Sequence, residues 1–232
     1  PKSGFMIDFI EKLKISARKD NVTLNFILGE ADASLTFGKA FDMIARDCSA
    51  NEDDEVRENC GKYDLIAADY FVSPERAARC DMTPSFLSTT ISNLKIKQTA
   101  KGRGIGTLAE LERYKGTACV LDGTLIKKLV IAKHPDAQYY SCPTQADCVR
   151  SVKKRICTLW IDDELLLRYT ALQEPDLFEV SRENILTQYI VWPMRPDLDP
   201  NIQSLLQRWI YTSVINGDLT ELFEKYFTPF SC

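Results

Sequence analysis

The sequence predicts an α/β protein of two lobes, each a mostly parallel sheet flanked by helices. Two observations carry that prediction. Strand-like and helix-like apolar patterns alternate along the chain, and the whole alternation starts again near Thr107. At 232 residues with 45% hydrophobic content, the chain is long enough to bury a sizeable core.

The elements follow in order. Phe5, Phe9 and Leu13 recur at helical spacing after Gly4, and Leu35, Phe41 and Ile44 do so again, so two amphipathic helices bracket a stretch in which Val22, Leu24, Phe26 and Leu28 alternate as in a strand. Asn51 to Asn59, rich in Glu52, Asp53, Asp54 and Glu55, reads as a solvated loop tied at its base by Cys48 and Cys60. Asp64 to Ala68 is a short apolar run, after which Ser73-Pro74 supplies an N-cap and a first-turn proline. In the second round, Ala118 to Leu121 is a buried strand, Asp122-Gly123-Thr124 a turn, and Ile126, Leu129 and Val130 one face of a helix stopped at His134-Pro135. Gln138 to Ser141 is strand-like, Thr144 caps a helix through Val152, and the run Ile156 to Ile161 ends in Asp162-Asp163-Glu164. Past Ile190-Val191-Trp192, Asp199-Pro200 opens a helix that Gly217 closes, and Leu219, Leu222, Phe223 and Tyr226 mark another.

The charge balance, 29 basic against 33 acidic residues for a net of −4, leaves no footprint for nucleic acid or an anionic membrane. No apolar stretch reaches the ~20 residues of a membrane span, and the N-terminus lacks a signal-peptide layout, so any targeting segment is expected outside the chain. The eight cysteines include no C-x-x-C pair, which favours disulfides and an oxidising compartment: secreted, extracellular, periplasmic or lumenal. Short polar loops between Cys48 and Cys60 and between Cys142 and Cys148 predict two of the bonds. The sequon Asn21-Val22-Thr23 fits secretion.

Residues Gly61-Lys62-Tyr63-Asp64-Leu65-Ile66 through Ser73-Pro74-Glu75-Arg76, followed by Cys80-Asp81-Met82-Thr83-Pro84, resemble the strand-loop-helix signature of the polar amino-acid solute-binding proteins. These are of the type 2 periplasmic-binding-protein class and share a fold with ionotropic glutamate receptor ligand-binding domains. Val120-Leu121-Asp122-Gly123-Thr124, Arg155 to Asp162 and the closing Leu222-Phe223-Glu224-Lys225-Tyr226-Phe227 extend the resemblance over nearly the whole chain from Gly4. It implies a clamshell with lobe 1 over 1–92 and 188–232 and lobe 2 over 93–187, a small-molecule ligand (an amino acid or amine) between the lobes, and a membrane transporter, receptor or assembly partner. It implies no cofactor. It also places Cys119 and Cys157 on adjacent strands, leaving Cys80 to meet Cys232, with two buried free thiols as the alternative. A further strand ahead of Gly4 is expected from the family.

By resemblance, Arg76 clamps a ligand carboxylate, the backbone amides at Gly123, Thr124 and Leu125 hold it from a helix N-terminus, and Asp162 receives the ligand's ammonium. The chemistry agrees, since a guanidinium fork matches a carboxylate and unpaired N–H groups attract anions. Read without the family, Arg76 is as readily a solvated surface charge, Asp162-Asp163-Glu164 a helix-start cluster, and Gly123-Thr124 a turn. Two positions depart from the family: Asp69 stands for a small residue and Phe71 for a hydroxyl-bearing one. Asp69 and Asp122, with Tyr70, Phe71 and Trp160, would suit a cationic side chain, although Trp160 inside an apolar run reads as core. The one histidine, His134, sits at a helix end as a cap, so no catalysis and no metal site are expected. A scaffold subunit that keeps the fold without a ligand is the alternative function.

Overall fold

The computed structural model describes residues 4–24, 37–97 and 105–227. Its contacts divide the chain into two compact units, Pro1–Ser88 with Tyr189–Cys232, and Thr89–Gln188. The chain passes between them within β3 (Leu87–Ile96) and within β8 (Leu186–Val191).

The first unit is helix-rich. α1 (Phe5–Lys19) buries Phe9, Leu13 and Ala17, and Phe9 packs with Phe86 and Trp192, all ring centroids lying 5.2–5.3 Å apart. Such tilted and edge-on aromatic pairs add to the burial of their large apolar surfaces. α9 (Pro200–Ile215) and α10 (Asp218–Phe227) pack on α1, with Asp199 capping α9 ahead of Pro200 as the sequence predicts. β1 (Tyr70–Phe71) pairs antiparallel with β8, and β2 (Asp81–Met82) antiparallel with β9 (Pro193–Met194). Among the described residues the apolar run at Asp64 forms one bridge, Leu65 to Met194, with the Ile66 N–H donating to the Pro193 carbonyl and the Arg195 N–H to the Asp64 carbonyl. Of the strand expected at Val22–Leu28, Val22–Leu24 has no regular structure and the remainder lies outside the described residues, as does Leu35.

The acidic stretch read as a solvated loop holds a helix instead. α3 (Asp54–Asn59) begins at Asp53, whose side chain accepts from the backbone N–H of Glu55 at 3.0 Å and Val56 at 3.3 Å. Asp54 and Glu55 then favour the first turn electrostatically, and Val56 is fully buried against Met43 and Cys48. The expected Cys48–Cys60 disulfide closes this excursion.

The second unit carries β4 (Thr117–Leu121), β5 (Gln138–Cys142) and β6 (Leu159–Asp163) as a parallel set, with β4 between the other two. β3 runs antiparallel to β6, and β7 (Phe178–Val180) antiparallel to β3. The intervening helices α5 (Leu108–Tyr114), α6 (Leu125–Lys133), α7 (Gln145–Lys153) and α8 (Glu164–Gln173) each start on a side-chain cap, from Thr107, Thr124, Thr144 and Asp163 in turn. Alternating strand and helix with parallel pairing is what the repeated pattern requires.

The core of this unit gathers Leu94, Cys119, Cys142, Cys148, Trp160 and Phe178. Cys119 and Cys157 form a disulfide. Cys142 and Cys148, expected to be bonded, are buried thiols in hydrogen-bond contact with one another. Cys80 is also buried, and its expected partner Cys232 lies outside the described residues. β6 begins later than its apolar run because Arg155, at φ 59°, turns the chain and leaves Ile156 exposed.

Candidate functional site

In the first unit the candidate residues converge on the start of α4 (Pro74–Arg79). Ser73, extended at φ −143° and ψ 154°, accepts from the Arg76 N–H at 3.2 Å, and Pro74 fills the first helical position. That cap turns Arg76 back over the strand that precedes it. Its guanidinium donates to the Phe71 carbonyl at 2.9 Å and lies 5.1 Å from the Tyr70 ring centre and 5.7 Å from that of Phe41. Among the described residues no carboxylate comes within ion-pair distance of it. Burial disfavours the charged form of Arg76, and the aromatic faces offset part of that penalty. Tyr70 and Phe71 are buried, and Asp69 is exposed.

In the second unit the register sets the site. Leu121 pairs with Cys142 and Val120 with Ile161, so β4, β5 and β6 end level and the starts of α6, α7 and α8 gather at one edge. The carboxyl edge of a parallel sheet is where α/β folds take ligands. At that edge Gly123 adopts φ +72°, where a side chain would be strained, and Thr124 follows as N-cap of α6. The Thr124 hydroxyl donates to the Leu121 carbonyl at 2.8 Å and accepts from the Lys127 N–H at 3.5 Å. The N–H groups of Leu125 and Ile126, in the first turn, have no intrahelical acceptor. Asp122 is exposed and paired with Lys127 Nζ at 2.6 Å, which holds its carboxyl below the usual range. The Asp122 charge is therefore already engaged, as is the Tyr70 face.

Asp162 ends the buried run of β6 and is 4% exposed. One carboxyl oxygen accepts from the Asp163 N–H at 2.9 Å, and the other has no partner among the described residues. Burial raises its pKa to about 7. Its side chain shares a strand face with Trp160, on the side of Cys142 and Cys148, and Trp160 is core.

Asp163, which sequence reasoning folded into a helix-start cluster, points to the opposite face. One oxygen caps α8 through Leu165 N–H at 2.8 Å and Leu166 N–H at 3.4 Å, while the other is buried without a partner among the described residues. Burial raises this carboxyl as well. The alternation of side chains along a strand was the available signal, because a core Trp160 places Asp162 on its own side and Asp163 on the other. Glu164 is spent on Arg168, at 2.5 Å, and on Thr90. His134 caps α6 as expected, its N–H donating to the Val130 carbonyl at 2.9 Å. A cavity of about 530 Å³, lined by Lys95, Gly106, Thr107, Glu179, Ser181 and Glu183, lies toward the other end of β3.

No protein-family model and no curated protein matches the sequence. Solved structures do match along 97% of the chain. The GluR0 ligand-binding core in complex with L-glutamate aligns with a TM-score of 0.72 at 16% identity and 89% of its own length. The chain has the fold of these amino-acid-binding proteins. The substrate-binding protein of an amino acid ABC transporter aligns with a TM-score of 0.71 at 15% identity over 88% of its length. An ancestral arginine-binding protein bound to arginine aligns with a TM-score of 0.73 at 15% identity, also over 88%.

Proposed function

We propose that the chain captures a small amino-acid-like solute and returns it unchanged. The observation that supports this reading is Arg76. A guanidinium stripped of part of its water, stacked on Tyr70 and Phe41, anchored at one end by the Phe71 carbonyl and facing no carboxylate among the described residues, is prepared for an external one. Within the second unit, the N–H groups opening α6 suit an anion, and Asp162 or Asp163 suits an ammonium once ionised. Asp122 and Tyr70, which a cationic side chain would have used, are already engaged by Lys127 and Arg76, so the zwitterion is the recognised part.

The two disulfides fit an oxidising compartment. Among the described residues no helix is long and apolar enough to cross a membrane. A transporter or receptor partner would receive the occupied form. Calorimetric titration with a panel of L-amino acids and amines tests the proposal. Saturable heat from at least one amino acid, with the solute recovered intact, supports capture. Silence across the panel returns the chain to the scaffold reading, and turnover of the solute makes it an enzyme.

A further inference from the structure

We infer that Asn21 carries an N-linked glycan. Asn21-Val22-Thr23 is the single N-x-Ser/Thr sequon in the sequence, with valine rather than proline between. A sequon arises readily by chance, so the structure has to say whether this one is presented. α1 ends in a Schellman turn. The Asn21 N–H donates to the Arg18 carbonyl at 3.0 Å and the Val22 N–H to the Ala17 carbonyl at 2.9 Å, with Asn21 left-handed at φ 59°. Asparagine tolerates that conformation better than most residues, which explains an Asn here but not a Thr at 23.

The turn is also held in place. The Asp20 carboxylate accepts from Trp209 Nε1 at 2.7 Å and pairs with Arg208 at 2.5 Å, fixing the end of α1 to α9. Asn21 and Thr23 are both exposed, while Val22 between them is half-buried. The sequon therefore projects its acceptor amide and its hydroxyl outward and turns its apolar residue in. A glycan added before folding would stay in solvent when α1 docks. The disulfides Cys48–Cys60 and Cys119–Cys157 point to an oxidising compartment, the secretory lumen among them, where such transfer takes place.

In the transfer, Asn21 Nδ2 bonds to C1 of the first sugar of a polyprenyl-diphosphate-linked oligosaccharide. The C1–O bond to the diphosphate breaks, the diphosphate leaves with the bonding pair, and Nδ2 gives up a proton. The balance needs no oxidant or reductant.

The test is the intact mass and gel mobility of the protein recovered from the cells that make it, before and after peptide-N-glycosidase. The expected result is a mass loss to that of the bare chain with Asn21 converted to Asp in the peptide map. Thr23→Ala should abolish the shift completely and Thr23→Ser should keep it, since both leave Asn21 in its turn. A parent mass that the enzyme does not change, with Asn21 recovered as Asn, overturns the inference, as does an undiminished shift in Thr23→Ala. If a variant is not produced, the parent mass and peptide map decide alone.

Discussion

Arg76 in the first unit and Asp162 in the second are both ionisable groups drawn out of water, and the two surroundings compensate them differently. Arg76 has two aromatic faces and a carbonyl, so its charge persists although burial works against it. Asp162 has one N–H and a core of thiols and indole, and burial raises its pKa to about 7. A cation can be desolvated against π faces and remain charged. An anion in a dry core needs donors, and with one donor it keeps its proton. Arg76 is thus charged before a solute arrives, whereas Asp162 is ionised only near or above neutrality.

Stability against pH gives the largest expected contrast. Folding raises Asp162 from 3.8 to about 7, so between those values the folded chain holds a proton that the unfolded chain has released. Its contribution to stability is full below the lower value and is lost as pH rises toward the upper one, by up to about 4 kcal/mol. Asp163 and Glu183, also raised by burial, act in the same direction. Asp162→Asn should remove the largest part. Urea midpoints for the variant should change much less between about pH 4.5 and about pH 7.5 than those of the parent. Parallel profiles would mean that Asp162 is ionised throughout.

The disulfides sharpen the comparison of units. Cys119–Cys157 spans 38 residues and Cys48–Cys60 spans 12. Loop entropy gives losses of about 4 and about 3 kcal/mol on replacing each pair by alanine, so the second unit should lose more, measured by denaturant midpoint.

Helix caps come next. Ser73→Ala and Thr144→Ala should each cost about 1 kcal/mol of stability, and Thr124→Ala the same. Thr124→Ala should also weaken solute binding, by titration, while Thr144→Ala should not. The smallest effect belongs to Asp122→Asn, which breaks an exposed pair with Lys127 and should change stability by less than about 0.5 kcal/mol.

The caps were legible in the sequence because a hydroxyl or carboxylate ahead of an apolar helical face has few other reasons to stand there. Ser73 and Thr144 cap where expected, Asp199 caps the helix it was expected to open, and Thr124, read as part of a turn, caps α6. The helix at Asp54–Asn59 was hidden by its own charges. Four acidic residues read as a loop, and the buried residue that makes the helix worthwhile, Val56, is one among them. At the candidate site the residue types were readable but their directions were not. Whether Arg76 faces solvent or an aromatic pair depends on Phe41, far away in sequence. The faces of Asp162 and Asp163 were in principle readable from the core position of Trp160 two residues earlier. The Cys142–Cys148 loop length permits a bond, and the paired buried thiols show that loop length alone does not make one.

The central claim rests on Arg76, and calorimetric titration of Arg76→Ala beside the parent, with the amino acid that the parent binds most tightly, tests it most directly. If Arg76 clamps the solute carboxylate, its removal should weaken binding by ~2–5 kcal/mol, with Arg76→Lys recovering only part because an ammonium lacks the fork. An Arg76→Ala protein that binds as tightly as the parent would contradict the account.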